Sequence, residues 1–96
     1  MKIRILDEAK NDLVEGFRFY EKQADGLGDY FLDSLYADID SLQLYAGIHE
    51  KAFEFHRMLA KTFPFAVYYD VDGEVVSVYA VLDCRRSPSW TRNRLQ

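Results

Sequence analysis

One cysteine, two prolines, two histidines and five glycines are spread over 96 residues, and each scarcity removes a class of protein. A lone Cys84 closes no internal disulfide and falls short of any zinc-ligand spacing, so a disulfide-stapled scaffold and a structural zinc site are both excluded. Apolar runs stop after a few residues, as in Phe65-Ala66-Val67-Tyr68-Tyr69, well below the roughly 20 needed to span a bilayer. Met1 to Asp7 shows no secretory pattern of a long apolar core and a small-residue cleavage site, so a reducing cytoplasm is the expected setting. Positive charge is also in deficit. At a net charge of -4 the chain is not expected to coat free DNA through bulk phosphate neutralisation.

What is present is core material. Nearly half the residues are apolar and 16% are aromatic, which suits one packed domain over residues 1–96 and not a disordered chain. Charge is unevenly placed: residues 7–40 carry ten acids against three bases. The last thirteen residues hold Arg85, Arg86, Arg92 and Arg94 beyond Asp83, with no acid after it.

Charged and aliphatic residues alternate over Lys2 to Leu6, which predicts a short strand with Ile3 and Ile5 on one face. Asp7 reads as a helix N-cap, and Ala9, Leu13, Phe17, Tyr20 and Ala24 then form one helical stripe, so a first helix is expected over 7–24. Asp25-Gly26-Leu27-Gly28 breaks the pattern. Leu27, Phe31, Leu35, Ile39, Leu42 and Ala46 resume it as a second helix, packed antiparallel because the connection is short, and Gly47-Ile48-His49-Glu50 ends the hairpin.

The period then changes to that of strands, over Phe53 to Leu59, Phe63 to Val71 and Val75 to Asp83. Asp72-Gly73 predicts a type I′ hairpin in which Val71 faces Glu74, Tyr69 faces Val76 and Val67 faces Val78. That register puts Phe65, Val67, Tyr69, Val76, Val78, Ala80 and Leu82 on a helix-facing side. A mixed side holds Ala66, Tyr68, Asp70, Val75, Ser77, Tyr79, Val81 and Asp83. The expected class is α+β, with the helical hairpin packed on a mainly antiparallel sheet in the order β-α-α-β-β-β.

Several segments resemble the RelE/ParE superfamily of toxins. The start at Ile5-Leu6-Asp7-Glu8-Ala9, the corner Tyr20-Glu21-Lys22-Gln23-Ala24-Asp25-Gly26-Leu27-Gly28, the run Arg57-Met58-Leu59-Ala60-Lys61-Thr62-Phe63-Pro64-Phe65-Ala66-Val67-Tyr68-Tyr69-Asp70-Val71 and the end Val81-Leu82-Asp83-Cys84-Arg85-Arg86-Ser87-Pro88 carry the likeness, in order, over nearly the whole chain. The resemblance implies the toxin of a type II toxin–antitoxin pair, often a plasmid stabilisation protein of bacteria that inhibits growth and is neutralised by a cognate antitoxin. It also implies two possible targets, the ribosome for RelE-type messenger-RNA endonucleases and DNA gyrase for ParE-type inhibitors.

Nuclease members tend to have an arginine near the place of Ala66, and a histidine followed by a terminal tyrosine near the places of Asp83 and Trp90. Ala66 cannot stabilise a phosphorane, and a carboxylate at Asp83 repels a phosphodiester. The resemblance therefore favours the ParE type, with target contacts from Arg85, Arg86, Trp90, Arg92 and Arg94. If the chain is a nuclease instead, Arg57, Lys61 and Arg86 are the candidate phosphate binders, with Arg85, and Asp83 is the proton acceptor. A degenerate member without toxicity and a homodimer both stay open, and no cofactor or metal is implied.

Most of these residues also have ordinary roles available. Arg57, Lys61, Arg85 and Arg86 suit a solvated sheet rim with salt bridges to Asp83 or Asp70. His49 and His56 lack a sequence neighbour that completes a nucleophile or metal set, so surface or edge roles are expected. Cys84 reads as a small residue at a strand end, and Tyr68, Tyr79 and Trp90 as core or interface aromatics. Asp12, Glu15, Asp29, Asp33, Asp38 and Asp40 read as a solvated helix surface.

Overall fold

A computed structural model describes residues 1–96. Its elements are β1 (Lys2–Ile5), α1 (Asp7–Glu21), α2 (Leu27–Asp40), α3 (Leu42–Tyr45), β2 (Lys51–Ala52), β3 (Phe55–Leu59), β4 (Phe65–Asp72), β5 (Val75–Asp83) and α4 (Pro88–Leu95). The five strands form one sheet in the order β1-β5-β4-β3-β2, with β1 parallel to β5 and every other pair antiparallel. The expected β-α-α-β-β-β order is there, and the expected α+β class with it. No helix is long and apolar enough to cross a membrane.

The first helix begins one residue earlier than an Asp7 cap implies. Leu6 is the extended N-cap (φ −73°, ψ 159°), with no side-chain cap, while Asp7 and Glu8 occupy the first turn, where their charge suits the positive end of the helix dipole. The helix stops at Glu21, not 24, although a last backbone bond runs from Ala24 N–H to the Tyr20 carbonyl; the Glu21 carboxylate reaches the next helix and accepts from Gly26 N–H at 3.1 Å and Gly28 N–H at 2.9 Å. Those are orphan donors at the start of α2, so the last residue of one helix caps the next. A Cβ at Gly28 would stand 2.8 Å from the Phe17 carbonyl oxygen, so α1 and α2 approach this closely only with glycine there. The second helical stripe holds in register but breaks at Ser41, whose Oγ donates to the Asp38 carbonyl at 2.6 Å, and α3 finishes it.

The sheet corrects the expected hairpin. The two-residue turn is Gly73-Glu74, not Asp72-Gly73, and positive φ is confined to Gly73 (+60°), the pattern of a II′ turn with glycine first. Asp72 faces Val75, Val71 faces Val76 and Tyr69 faces Val78. A type I′ turn would demand positive φ at Asp72 as well, and the shift avoids that cost. Beyond Tyr69 the register slips once more: Tyr68 faces Ala80, so Tyr79 is an extra residue on β5.

This bulge exchanges the faces of the last four residues of the strand. Val81 now joins Phe65, Val67, Tyr69, Val76 and Val78 under the helices, while Ala80 and Leu82 turn to the opposite side with Ala66 and Tyr68. That opposite side is covered by α4, which brings Trp90 and Leu95 onto it. Ser87 caps α4 by accepting from Trp90 N–H at 3.2 Å, and Pro88 opens it where a missing N–H does no harm.

The strand expected from Phe53 is two strands around a tight turn. Ala52 faces Phe55 across Phe53 and Glu54, which hold φ of +55° and +72°. Neither is glycine, so this turn is strained by roughly 1 kcal/mol or more per residue.

Candidate functional site

Between α4 and the sheet lies a cleft of about 270 Å³ lined by Ala52, Phe53, Arg57, Tyr68, Cys84, Arg86, Pro88 and Thr91. Arg57 and Tyr68 are opposite one another on β3 and β4, and Arg57 Nε donates to the Tyr68 hydroxyl at 3.1 Å. A terminal nitrogen of the same guanidinium reaches Cys84 Sγ at 3.7 Å. The Tyr68 hydrogen bond, ahead of the opposing effect of burial, moves Arg57 above the ordinary arginine value. Burial pushes the Cys84 thiol up, against the pull of Arg57, so it is a weak nucleophile at neutral pH.

No carboxylate lines this cleft. The carboxylates that pair with arginine are elsewhere: Asp83 with Arg85, and Glu8 and Asp12 with Arg94. Arg57 and Arg86 therefore line the cleft with neither in an ion pair, in a chain whose net charge is negative. Chemically the cleft suits an oxyanion held by two guanidinium groups.

The adjacent pair Arg85 and Arg86 diverges. Arg85 makes a bidentate pair with Asp83, Nε to Oδ1 at 2.9 Å and Nη2 to Oδ2 at 2.7 Å, with its backbone N–H on Oδ1 at 2.8 Å. These bonds from Arg85 hold the Asp83 carboxyl below its usual value and push the exposed Arg85 guanidinium up. Asp83 is thereby a poor proton acceptor. Arg86 instead stacks its guanidinium over Trp90 at 4.6 Å, on the α4 side.

Of the remaining arginines, Arg92 lies 5.6 Å over the Phe53 ring and ties α4 to the strained turn. Arg94 binds both oxygens of Asp12 on α1 at 2.5 and 2.6 Å, with Glu8 at 3.5 Å. Asp12 was expected on a solvated surface; its side chain is 10% exposed and its Oδ2 also accepts from Val81 N–H at 3.0 Å. Burial raises the Asp12 pKa, and the Arg94 bond opposes that rise. Asp38 departs from the same expectation, since it is buried and accepts from Lys61 N–H at 3.1 Å.

The structure thus gathers Arg57, Tyr68, Cys84 and Arg86 in one cleft and places Arg85 with Asp83 outside it. Lys61 is on a separate cleft with Asp38, Tyr45, Ile48, His49 and Leu59. Ala66 is fully buried on the α4 side of β4, so its methyl is core. Sequence reasoning missed Thr91, buried on α4, and the partnership of Tyr68 with Arg57; the second needed the β3–β4 register, while Ser87-Pro88 was an available signal for the helix that carries the first.

No family model and no curated protein matches this chain. Among solved structures, it is similar to a chain of the "Chromosomal ParDE TA system from P. aeruginosa", with a TM-score of 0.73 and 16% identity over 84% of this chain and 92% of that one. The likeness at that identity is one of fold, and the expected ParE-like fold is the one observed.

Proposed function

We propose that this chain is the toxin of a type II toxin–antitoxin pair that acts by binding a protein target, DNA gyrase, and is neutralised by a cognate antitoxin. The observation that carries this is the fold shared with a chain of a ParDE system at a TM-score of 0.73. The basic residues of the C-terminal segment support a binding mode: Arg86, in the turn before α4, and Arg92, on α4, are exposed and paired only with aromatic rings, so their donors are free for a partner. Arg85 is also exposed but already satisfied by Asp83, and Arg94 is spent on Asp12. The contact set is thereby narrowed from five residues to Arg86, Trp90 and Arg92.

Purified protein at micromolar concentration is expected to inhibit negative supercoiling by gyrase, and addition of the partner encoded beside it to relieve that inhibition. Full supercoiling activity at saturating protein overturns the target assignment.

One observation favours a second function, a RelE-like ribosome-dependent endonuclease: Arg57 holds the Tyr68 hydroxyl in a cleft that Arg86 also lines and that has no carboxylate. Against it stand the buried Ala66 methyl and the depressed pKa of Asp83, which leave the cleft without a general base. Cleavage of translated messages at the ribosomal A site after induction would establish it; unchanged messages remove it. Normal growth on induction of the folded protein without its antitoxin would mark a non-toxic member.

A further inference from the structure

Tyr69 leaves β4 with its side chain fully buried, and its hydroxyl ends beneath the loop that joins α3 to β2. Gly47 N–H donates to that hydroxyl at 3.0 Å, and His49 Nδ1 lies 2.5 Å from it. Gly47 N–H can only donate, which leaves His49 Nδ1 as the one recorded partner able to accept the buried Tyr69 proton, and a satisfied O–H therefore points to it. His49 is then the neutral tautomer with its hydrogen on Nε2.

His56 is held in the opposite tautomer. Its Nδ1 is 2.7 Å from the His49 carbonyl, which can only accept, so Nδ1 carries the hydrogen, and its ring stacks on Tyr69 at 5.0 Å and 22°. The two rings therefore use Nδ1 oppositely, His56 as donor and His49 as acceptor. An added proton on His49 can sit only at Nδ1, where it turns the acceptor into a donor and leaves the buried Tyr69 proton without an acceptor.

We propose that the His49–Tyr69 hydrogen bond is a proton-released latch: in mild acid His49 charges, the Tyr69 O–H loses its acceptor, and the segment from Ala46 to Ile48 comes off the Tyr69 hydroxyl, while the His49 carbonyl stays on His56. His56 from β3, Tyr69 from β4, Asp38 from α2, Tyr45 from α3 and Lys61 beyond β3 are the titratable groups on His49 or around the cleft it lines. Asp38 shares the cleft and accepts from the Lys61 backbone N–H. Burial, and after it the charge on His56, holds His49 below the ordinary histidine value. Because the folded value lies below the unfolded one, the closed loop is fully stable above about pH 6.5 and loses stability as pH falls below it. The loop carries exposed Ile48, between exposed Tyr45 of α3 and exposed Leu59 of β3, so opening rearranges an apolar rim.

Amide hydrogen exchange by NMR on the full chain, corrected for the intrinsic pH dependence of exchange, tests the latch. From about pH 7.5 to about pH 5 the protection factor of Gly47 is expected to fall about tenfold, the worth of one ordinary hydrogen bond, while the β4–β5 amides hold. His49→Asn puts an acceptor oxygen near the place of Nδ1 and cannot titrate, so its Gly47 protection should be flat; His56→Gln should keep the step. Unchanged Gly47 protection in the wild-type protein at about pH 5, or an equal fall in His49→Asn, overturns the proposal.

Discussion

Under α1 and α2, the sheet belongs to a cluster of fourteen buried apolar residues, joined by aromatic contacts such as Tyr20 on Phe31 at 5.2 Å and Phe31 on Phe65 at 5.0 Å. Under α4, only Ala66, Tyr68, Ala80 and Leu82 are buried together, with half-buried Phe53, Phe55, Trp90 and Leu95 packed on them, and arginines on rings and the Arg94 ion pairs to α1 complete the contact. The first face is closed by area, which contributes about 25 cal/mol per Å² wherever the atoms fit. The second is closed by a few directional contacts around a cleft with two arginines outside any ion pair. The hairpin side therefore supplies stability, and the α4 side holds the arginines proposed above to meet a partner.

The largest effect is expected where the apolar face has no slack. Gly28→Ala sets a methyl 2.8 Å from the Phe17 carbonyl oxygen, a backbone atom that cannot rotate away, and should cost about 2–3 kcal/mol in urea unfolding. A melting temperature within error of wild type would mean that the hairpin side is not tightly packed.

Arg94→Ala is next, because it strips the partner from a carboxylate that is 10% exposed and detaches the end of α4 from α1. A loss of about 1–2 kcal/mol at neutral pH is expected, less than for a fully buried pair because Arg94 is 26% exposed. The sign with pH is specific. Burial already raises the Asp12 pKa, and loss of Arg94 raises it further, so the folded variant takes a proton before the unfolded chain does. The deficit should therefore shrink as pH falls toward the ordinary carboxyl range, and a deficit that grows in acid would contradict a buried Asp12.

The smallest effect has the opposite sign. Glu54 is exposed at φ +72°, so Glu54→Gly removes backbone strain and should stabilise by about 0.5 kcal/mol after the extra unfolded-state entropy of glycine. Destabilisation in a thermal melt would show that the Glu54 side chain holds the turn.

The difference between the faces also explains what was legible in the sequence. Helical stripes such as Leu13 to Tyr20 and Leu27 to Leu42 are dense because the hairpin face is closed by area, and they located both helices. The α4 side left a thinner trace: only Trp90 and Leu95 of α4 pack on the sheet, too few to show a period, although Ser87-Pro88 is a helix-start signal. The bulge at Tyr79 was invisible because alternation runs through it unbroken, yet it decides that Leu82 and Val81 exchange faces. Likewise the basic C-terminus was legible as charge, but charge alone does not say that Arg94 is spent on Asp12, Arg85 on Asp83, and that Arg86 stays free beside Arg57. The His49–Tyr69–His56 contacts left no local mark, being made between a loop and two strands.

The assignment of binding chemistry to the α4 side is tested most directly by gyrase supercoiling titrated with wild-type protein and with the double variant Arg86→Ala, Arg92→Ala. Wild-type protein should inhibit supercoiling, and the variant, still folded by circular dichroism because neither arginine holds an ion pair, should need at least about tenfold more protein, the equivalent of about 1.4 kcal/mol of lost contact. Equal inhibition by the two proteins would contradict the account and move the working surface to the helical hairpin.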